Sequence, residues 1–143
     1  MFSIIIVAYK PDKNKLKKFL KKIGNKVNLL VINNSENYDF KDIKFSKKTK
    51  IIKSKNYGNG AGINLGLKNC KTKFAIYSDI DINFEKNFME KFFNFSKKIK
   101  DFGILIPNHG NLKKNNKIIE KYYGEASMML FNITKLKKIG FFD

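Results

Sequence analysis

The sequence predicts an α/β domain, a three-layer α/β/α sandwich built on a mostly parallel sheet. Three observations carry this expectation. Short β-branched runs, such as Phe2–Ala8, are apolar without alternation, as strands covered on both faces are. Segments with apolar residues at helical spacing separate those runs through the first hundred residues. Turns rich in Gly, Asn and Asp mark most of the changes of period. No repeat, low-complexity linker or composition break divides the 143 residues, so a single domain over 1–143 is expected.

Taken in order, Phe2–Ala8 is the first strand, and Tyr9-Lys10-Pro11-Asp12 breaks it. Leu16, Phe19, Leu20 and Ile23 recur at helical spacing with lysines opposite, until Gly24-Asn25 ends the helix. Residues 27–32 form the second strand, stopped by Asn33-Asn34-Ser35. A stretch without strong period, 36–49, leads to a third short strand at 50–53. A glycine-rich turn, Asn56 to Gly66, feeds a helix that reaches about Asn69. The next strand, 73–81, ends in Asp79-Ile80-Asp81, and a helix is expected over 84–100 with Phe88, Phe92, Phe95 and Ile99 as its buried stripe. Strands are then expected at 102–106, 117–123 and 126–131, with a short helix over 133–138 before Gly140.

Lys and Arg total 30 against 12 acids, a formal charge of +18, which favours anionic partners such as phosphates, nucleic acid or an acidic membrane surface. The lysines spread over nearly the whole chain among Asn, Ile and Phe, so charge alone singles out none of these. No helix-turn-helix, RNA-recognition aromatic motif or zinc spacing accompanies them, and nucleic acid is not the expected partner. A hydrophobic content of 43% excludes a disordered chain. One cysteine, Cys70, excludes an internal disulfide and suits a reducing compartment. With no apolar stretch near the ~20 residues a bilayer requires, and no signal-like leader, the expectation is a cytoplasmic protein. Contact with the inner face of an anionic membrane stays open.

Two segments carry candidate chemistry. Side chains at i and i+2 of an extended chain point the same way, so Asp79 and Asp81 are expected to project together from a strand tip while Ile80 turns inward. Converging carboxylates suit Mn²⁺ or Mg²⁺, whose shell phosphates and waters complete. The plain alternative is that one of them caps the helix beginning near Asn83. The glycine-rich turn does not match G-x-x-x-x-G-K-[ST] and does not follow the first strand, so neither a P-loop nor a dinucleotide fingerprint fits. It serves either close helix-to-sheet packing or approach of a sugar or phosphate to a helix N-terminus. His109 reads as an exposed loop histidine, since one His makes no metal cluster.

Four segments in this order resemble the N-terminal part of family 2 glycosyltransferases of the GT-A fold. Ser3-Ile4-Ile5-Ile6-Val7-Ala8-Tyr9-Lys10 is similar to the family's opening strand and its Thr-Tyr-Asn-like turn. Leu30-Val31-Ile32-Asn33-Asn34-Ser35 resembles its Val-Asp-Asn-x-Ser segment. Asn56 to Gly66 is similar to the N-x-G-x-x-x-G-x-N-x-G element of rhamnosyltransferase-like members, and Asp79-Ile80-Asp81 falls where the family has its D-x-D. A softer match runs from Gly124 to Asp143.

The resemblance implies a nucleotide-sugar-binding half over 1–100 and the start of an acceptor-side half over 101–143. It implies that Ala8 and Tyr9 line the nucleotide base, with Asn33 at the base-recognising position. Asn56, Gly60 and Asn64 would lie near the donor, Asp79 would reach both donor and metal, and Asp79 with Asp81 would hold the ion. Transfer from a nucleotide-diphosphate sugar to a glycan or lipid-linked acceptor, inverting, is the implied reaction. Two departures stand out. Asn33 replaces an aspartate, and the sequence stops at Asp143, just where the family continues toward the acidic motif that supplies its catalytic base, which leaves Glu125 as the nearby carboxylate that could substitute. The expectation is therefore either the C-terminally incomplete part of a longer enzyme or a catalytically incomplete remnant that binds the nucleotide sugar.

Overall fold

The computed structural model describes residues 1–99, 101–107, 124 and 127–142. The expected strand at 117–123 and the residues His109 and Glu125 lie outside the described residues. The elements are β1 (Phe2–Ala8), α1 (Lys13–Ile23), β2 (Asn28–Asn33), β3 (Thr49–Lys53), α2 (Asn59–Asn69), β4 (Phe74–Ser78), α3 (Phe88–Ser96), β5 (Ile104–Leu105), β6 (Met128–Asn132) and α4 (Ile133–Ile139).

They build a six-stranded sheet in the order β3-β2-β1-β4-β6-β5. The pairings β2–β3, β1–β2 and β1–β4 are parallel, whereas β6 runs antiparallel to both β4 and β5. The sheet is therefore mostly parallel, as expected, with one reversed strand inserted beside β4.

Alternation along each strand divides the core into two halves. Ile4, Ile6, Leu29, Val31, Ile76, Met128 and Leu130 meet Leu16 and Phe19 of α1 and Met89 and Phe93 of α3. Ile5, Leu30, Ile32, Tyr77, Met129 and Phe131 meet Ile63 and Leu67 of α2 and Ile133 and Leu136 of α4. Both faces are covered, which is why the strands read as unbroken apolar runs.

Local chemistry sets the helix ends. Asp12 caps α1 by accepting from Lys15 N at 2.8 Å, and Gly24 at φ 74° ends it. Segment 36–48 carries no helix or strand, but Tyr38, Phe40 and Phe45 form a chain of ring contacts at 5.0 and 5.6 Å.

One helix differs from expectation. α3 starts at Phe88, behind a left-handed Asn87 (φ 67°), and not near Phe84. Its buried positions are Met89, Phe93 and Ser96, while Phe88 and Phe92 are half-buried and Phe95 is 45% exposed. The expected Phe stripe is thus rotated by about one residue. Rings decide it, because Phe93 meets Phe2 at 4.9 Å and Phe74 at 5.5 Å across the sheet.

Candidate functional site

The direction of the chain crossovers changes between β1 and β4. From β1 the chain passes through α1 to β2 on one side of it, and from β3 it returns through α2 to β4 on the other. A crevice beyond the C-terminal ends of such strands is where open α/β sheets bind ligands. The tips of β1, β2 and β4 and the start of α2 gather at that edge.

Hydrogen bonds tie these tips together. Asn34 N donates to Ala8 O at 2.9 Å, and Lys10 N donates to Ser35 Oγ at 2.7 Å, so the β1 and β2 turns are held side by side. Asn34 Nδ2 reaches Gly58 O at 3.4 Å, which links the β2 tip to the start of α2. Asn59, the first residue of α2, is bonded to the Tyr77 hydroxyl at 2.9 Å, and that hydroxyl donates to Asp79 Oδ1. Asp79 N in turn donates to Ser127 O at 2.9 Å, anchoring the tip to the turn before β6.

The sequence-predicted residues occupy this edge in different ways. Ala8 is buried, and its carbonyl is engaged by Asn34. Tyr9 stands out at 55% exposure with Lys10 Nζ 5.6 Å from its ring centre. Asn33 is buried, and its Oδ1 accepts from Ser35 N at 3.0 Å, which fixes the amide orientation. Asn56 is exposed and forms the turn into α2 by accepting from Gly58 N at 3.2 Å. Gly60 faces open space. Asn64 is joined to the backbone of Phe142 at both ends of its amide, 2.6 Å and 3.0 Å, and not to the Asp79 network.

The glycine-rich segment divides by position. A Cβ on Gly62 would sit 2.7 Å from Val7 Cγ1, and one on Gly66 would sit 2.5 Å from Ile5 Cγ2. One turn apart on one helix face, these two glycines let α2 lie directly on β1. Close packing therefore accounts for Gly62 and Gly66, whereas at Gly60 the helix start is open. Asn34 Oδ1 is buried beside this turn with no hydrogen-bond partner among the described residues.

The D-x-D departs from the strict alternation expected of it. β4 ends at Ser78, and the chain bends at Ile80 and Asp81. Asp79 is half-buried on the Tyr77 side, while Asp81 is exposed with Lys15 Nζ 3.9 Å from its Oδ2. Neither aspartate caps a helix, because α3 begins at Phe88 with Asn87 as its N-cap. Asp79 still senses its neighbour. Burial, and after it the charge of Asp81, raise the Asp79 carboxyl above its ordinary value, against the opposing hydrogen bond from Tyr77. Burial foremost, and then Asp79, push the Tyr77 hydroxyl up as well.

These are hard oxygen donors whose mutual repulsion a divalent cation would relieve, and the exposed Lys15 is a weak counter-ion. No group of three or more His, Cys, Asp or Glu able to hold a metal occurs among the described residues. The chain thus offers a two-carboxylate foothold of the kind Mg²⁺ and Mn²⁺ use with substrate phosphates, and the donor set fits such an ion. A cavity of about 760 Å³ lies elsewhere, at the opposite ends of β2 and β3, lined by Lys17, Leu20, Leu29 and Phe45 among others. The candidate site is an open rim and not that cavity.

Fold and rim together define an α/β protein of the kind that carries its ligand groups on the turns following parallel strands. The chain belongs to glycosyl transferase family 2: the family model of that description matches residues 3–140. Its structure is similar to S. aureus TarS 1-349 in complex with UDP-GlcNAc, at TM-score 0.67 and 15% identity over 96% of this chain and 47% of that one. It is equally similar to the mannosyltransferase PcManGT from Pyrobaculum calidifontis in complex with GDP-Man and Mn²⁺, at TM-score 0.67 and 11% identity over 99% and 47%. The bifunctional IspDF from Campylobacter jejuni also aligns, at TM-score 0.53 and 15% identity over 96% and 42%. These identities establish the GT-A fold and nothing finer. The chain spans about half the length of the structures it resembles. No curated protein sequence matches it significantly. No helix among the described residues is long and apolar enough to cross a membrane.

Sequence reasoning missed Asn34, Asn59 and Tyr77 as parts of the site. Tyr77 had one usable signal: it stands two residues before Asp79 and so shares its side of the strand.

Proposed function

We infer that the chain binds a nucleotide-diphosphate sugar on this rim and belongs to an enzyme that transfers the sugar to a glycan or lipid-linked acceptor with inversion. The observation that carries the reading is the hydrogen-bonded gathering of the β1, β2 and β4 tips around Asp79. The complexes of TarS with UDP-GlcNAc and of PcManGT with GDP-Man and Mn²⁺ support it.

Asp79 and Asp81 would hold Mn²⁺ or Mg²⁺ against the diphosphate. Such an ion supplies Lewis-acid stabilisation of the charge that grows on the leaving nucleoside diphosphate. The remaining work falls to the chain. Tyr9 offers a ring face for the base at the rim. With one lone pair of Oδ1 engaged by Ser35 N, Asn33 adds amide N–H donors toward a base, whereas an ionised aspartate there would only accept. Asn56 and Gly60 flank the start of α2, whose first amides Gly58 cannot cap by a side chain, leaving donors for a phosphate or sugar oxygen. Glu125 remains the candidate base for the acceptor hydroxyl. Lysines raise the local concentration of anionic donors and would favour contact with an anionic membrane carrying the acceptor.

Calorimetry with UDP-, dTDP- and GDP-sugars, with and without Mn²⁺, tests the reading. Metal-dependent binding that Asp81→Ala weakens is expected. Binding indifferent to metal and to Asp81, or a defined nucleic-acid site that nucleotide sugars fail to displace, would overturn it. Transfer is assayed separately with lipid-linked acceptors.

A further inference from the structure

We propose that Tyr77 and Asn59 are positioning residues that hold the Asp79 carboxylate in one orientation for the donor-bound cation. This rests on the reading of Asp79 given above. Tyr77 is 1% exposed, with its ring in the core half covered by α2 and its hydroxyl at the edge of the rim. A phenol has a single proton, and it goes to Asp79 Oδ1. The contact between Tyr77 and Asn59 at 2.9 Å is therefore made by Asn59 Nδ2 donating to the phenol oxygen. All the donors point one way, from Asn59 through Tyr77 to Asp79, so each bond strengthens the next.

The consequence is geometric. Asp79 is held at both ends, its backbone N–H by Ser127 O at 2.9 Å and its Oδ1 by Tyr77. Among the described residues the relay turns Oδ1 back into the protein and engages Oδ2 nowhere, which is the division of the two oxygens that the proposal uses. A phenylalanine would fill the same core space, and the beneficiaries of the hydroxyl are Asp79 and the link to Asn59. Since Asn59 opens α2, the relay also fixes the spacing between the Gly60 turn and the carboxylate. Asp81 has no such support among the described residues: it is exposed, with Lys15 Nζ at 3.9 Å. The geometry thus separates a pre-oriented aspartate from an adaptable one. Groups that orient metal ligands in this way are worth about 10-fold or more in affinity.

The test uses the full chain and its Tyr77→Phe and Asn59→Ala variants, with UDP and GDP titrated in Mn²⁺ and again in a chelator. Tyr77→Phe is expected to weaken Mn²⁺-dependent binding about 10-fold while leaving chelator binding close to wild type, with a lower melting temperature at neutral pH because Asp79 loses a hydrogen bond. Asn59 is exposed, so Asn59→Ala keeps the test alive should Tyr77→Phe fold poorly; about a 3-fold loss is expected, with no further loss in the double variant, because Asn59 acts through Tyr77. Wild-type affinity in Tyr77→Phe, or equal losses with and without metal, overturns the relay while leaving the donor site intact. Absence of Mn²⁺-dependent binding in the wild type overturns the donor-site reading and the relay with it.

Discussion

At the scale of single residues, Asp79 is a half-buried carboxylate whose charge works against stability. Its carboxyl lies above the ordinary value of 3.8, first because it is buried and then because Asp81 is close. A group whose folded-state pKa is raised binds its proton more tightly when native, so its ionisation lowers stability above that pKa. The deficit is relieved as pH falls through the raised value. Asp79→Asn keeps an oxygen to accept from Tyr77 and removes the charge. The expected outcome is a higher melting temperature than wild type at neutral pH, a gap that closes on acidification and is gone below the ordinary aspartate value, together with loss of Mn²⁺-dependent nucleotide binding. Thermal unfolding across pH beside calorimetry checks both halves; a variant less stable than wild type at neutral pH would contradict the assignment of burial as the cause. The aspartates themselves were legible in the sequence because two carboxylates end an apolar run. The Asn59–Tyr77 link was not, since its members stand 18 residues apart and an asparagine in a glycine-rich turn has a local explanation of its own.

At the scale of elements, α2 shows which glycines serve packing and which leave room. Gly66→Ala would force a methyl to 2.5 Å from Ile5 Cγ2, a fully buried side chain, so α2 must lift from β1. A loss of about 1–3 kcal/mol in denaturant unfolding is expected, typical of overpacking. Gly60→Ala meets nothing within 4 Å, and its unfolding should stay within about 1 kcal/mol of wild type, on the stable side if helix propensity dominates. If a donor oxygen approaches Gly60 closely, that same variant loses nucleotide affinity while keeping its stability. The sequence held both uses of glycine open, because spacing alone cannot say what lies across the helix. The same limit explains α3. Its apolar residues fill two adjacent stripes of equal period, 88/92 and 89/93, and only the rings of Phe2 and Phe74 across the sheet select the second.

At the scale of the molecule, the strands were legible from composition, yet the reversal of β6 was not. A buried strand reads the same in either direction, and its sense is set by the connection that delivers it. That reversal matters for how the chain holds together. β6 pairs with β4 along Phe74 to Ser78 and places Met128 and Leu130 in one core half and Met129 and Phe131 in the other. All four are buried. The turn before it also holds Asp79 N through Ser127 O. The β1-to-α3 half therefore leans on residues far beyond it in sequence. A chain ending at Ile99 would leave β4 as a long apolar edge, uncover both core halves and release the Asp79 backbone. We expect such a truncation to lack a cooperative thermal transition and dispersed amide resonances, and to aggregate, where the 143-residue chain unfolds in one step. A dispersed spectrum from the truncated chain, with metal-dependent nucleotide binding retained, would show that β1 to α3 fold without β6 and that the rim assembles on the parallel strands alone.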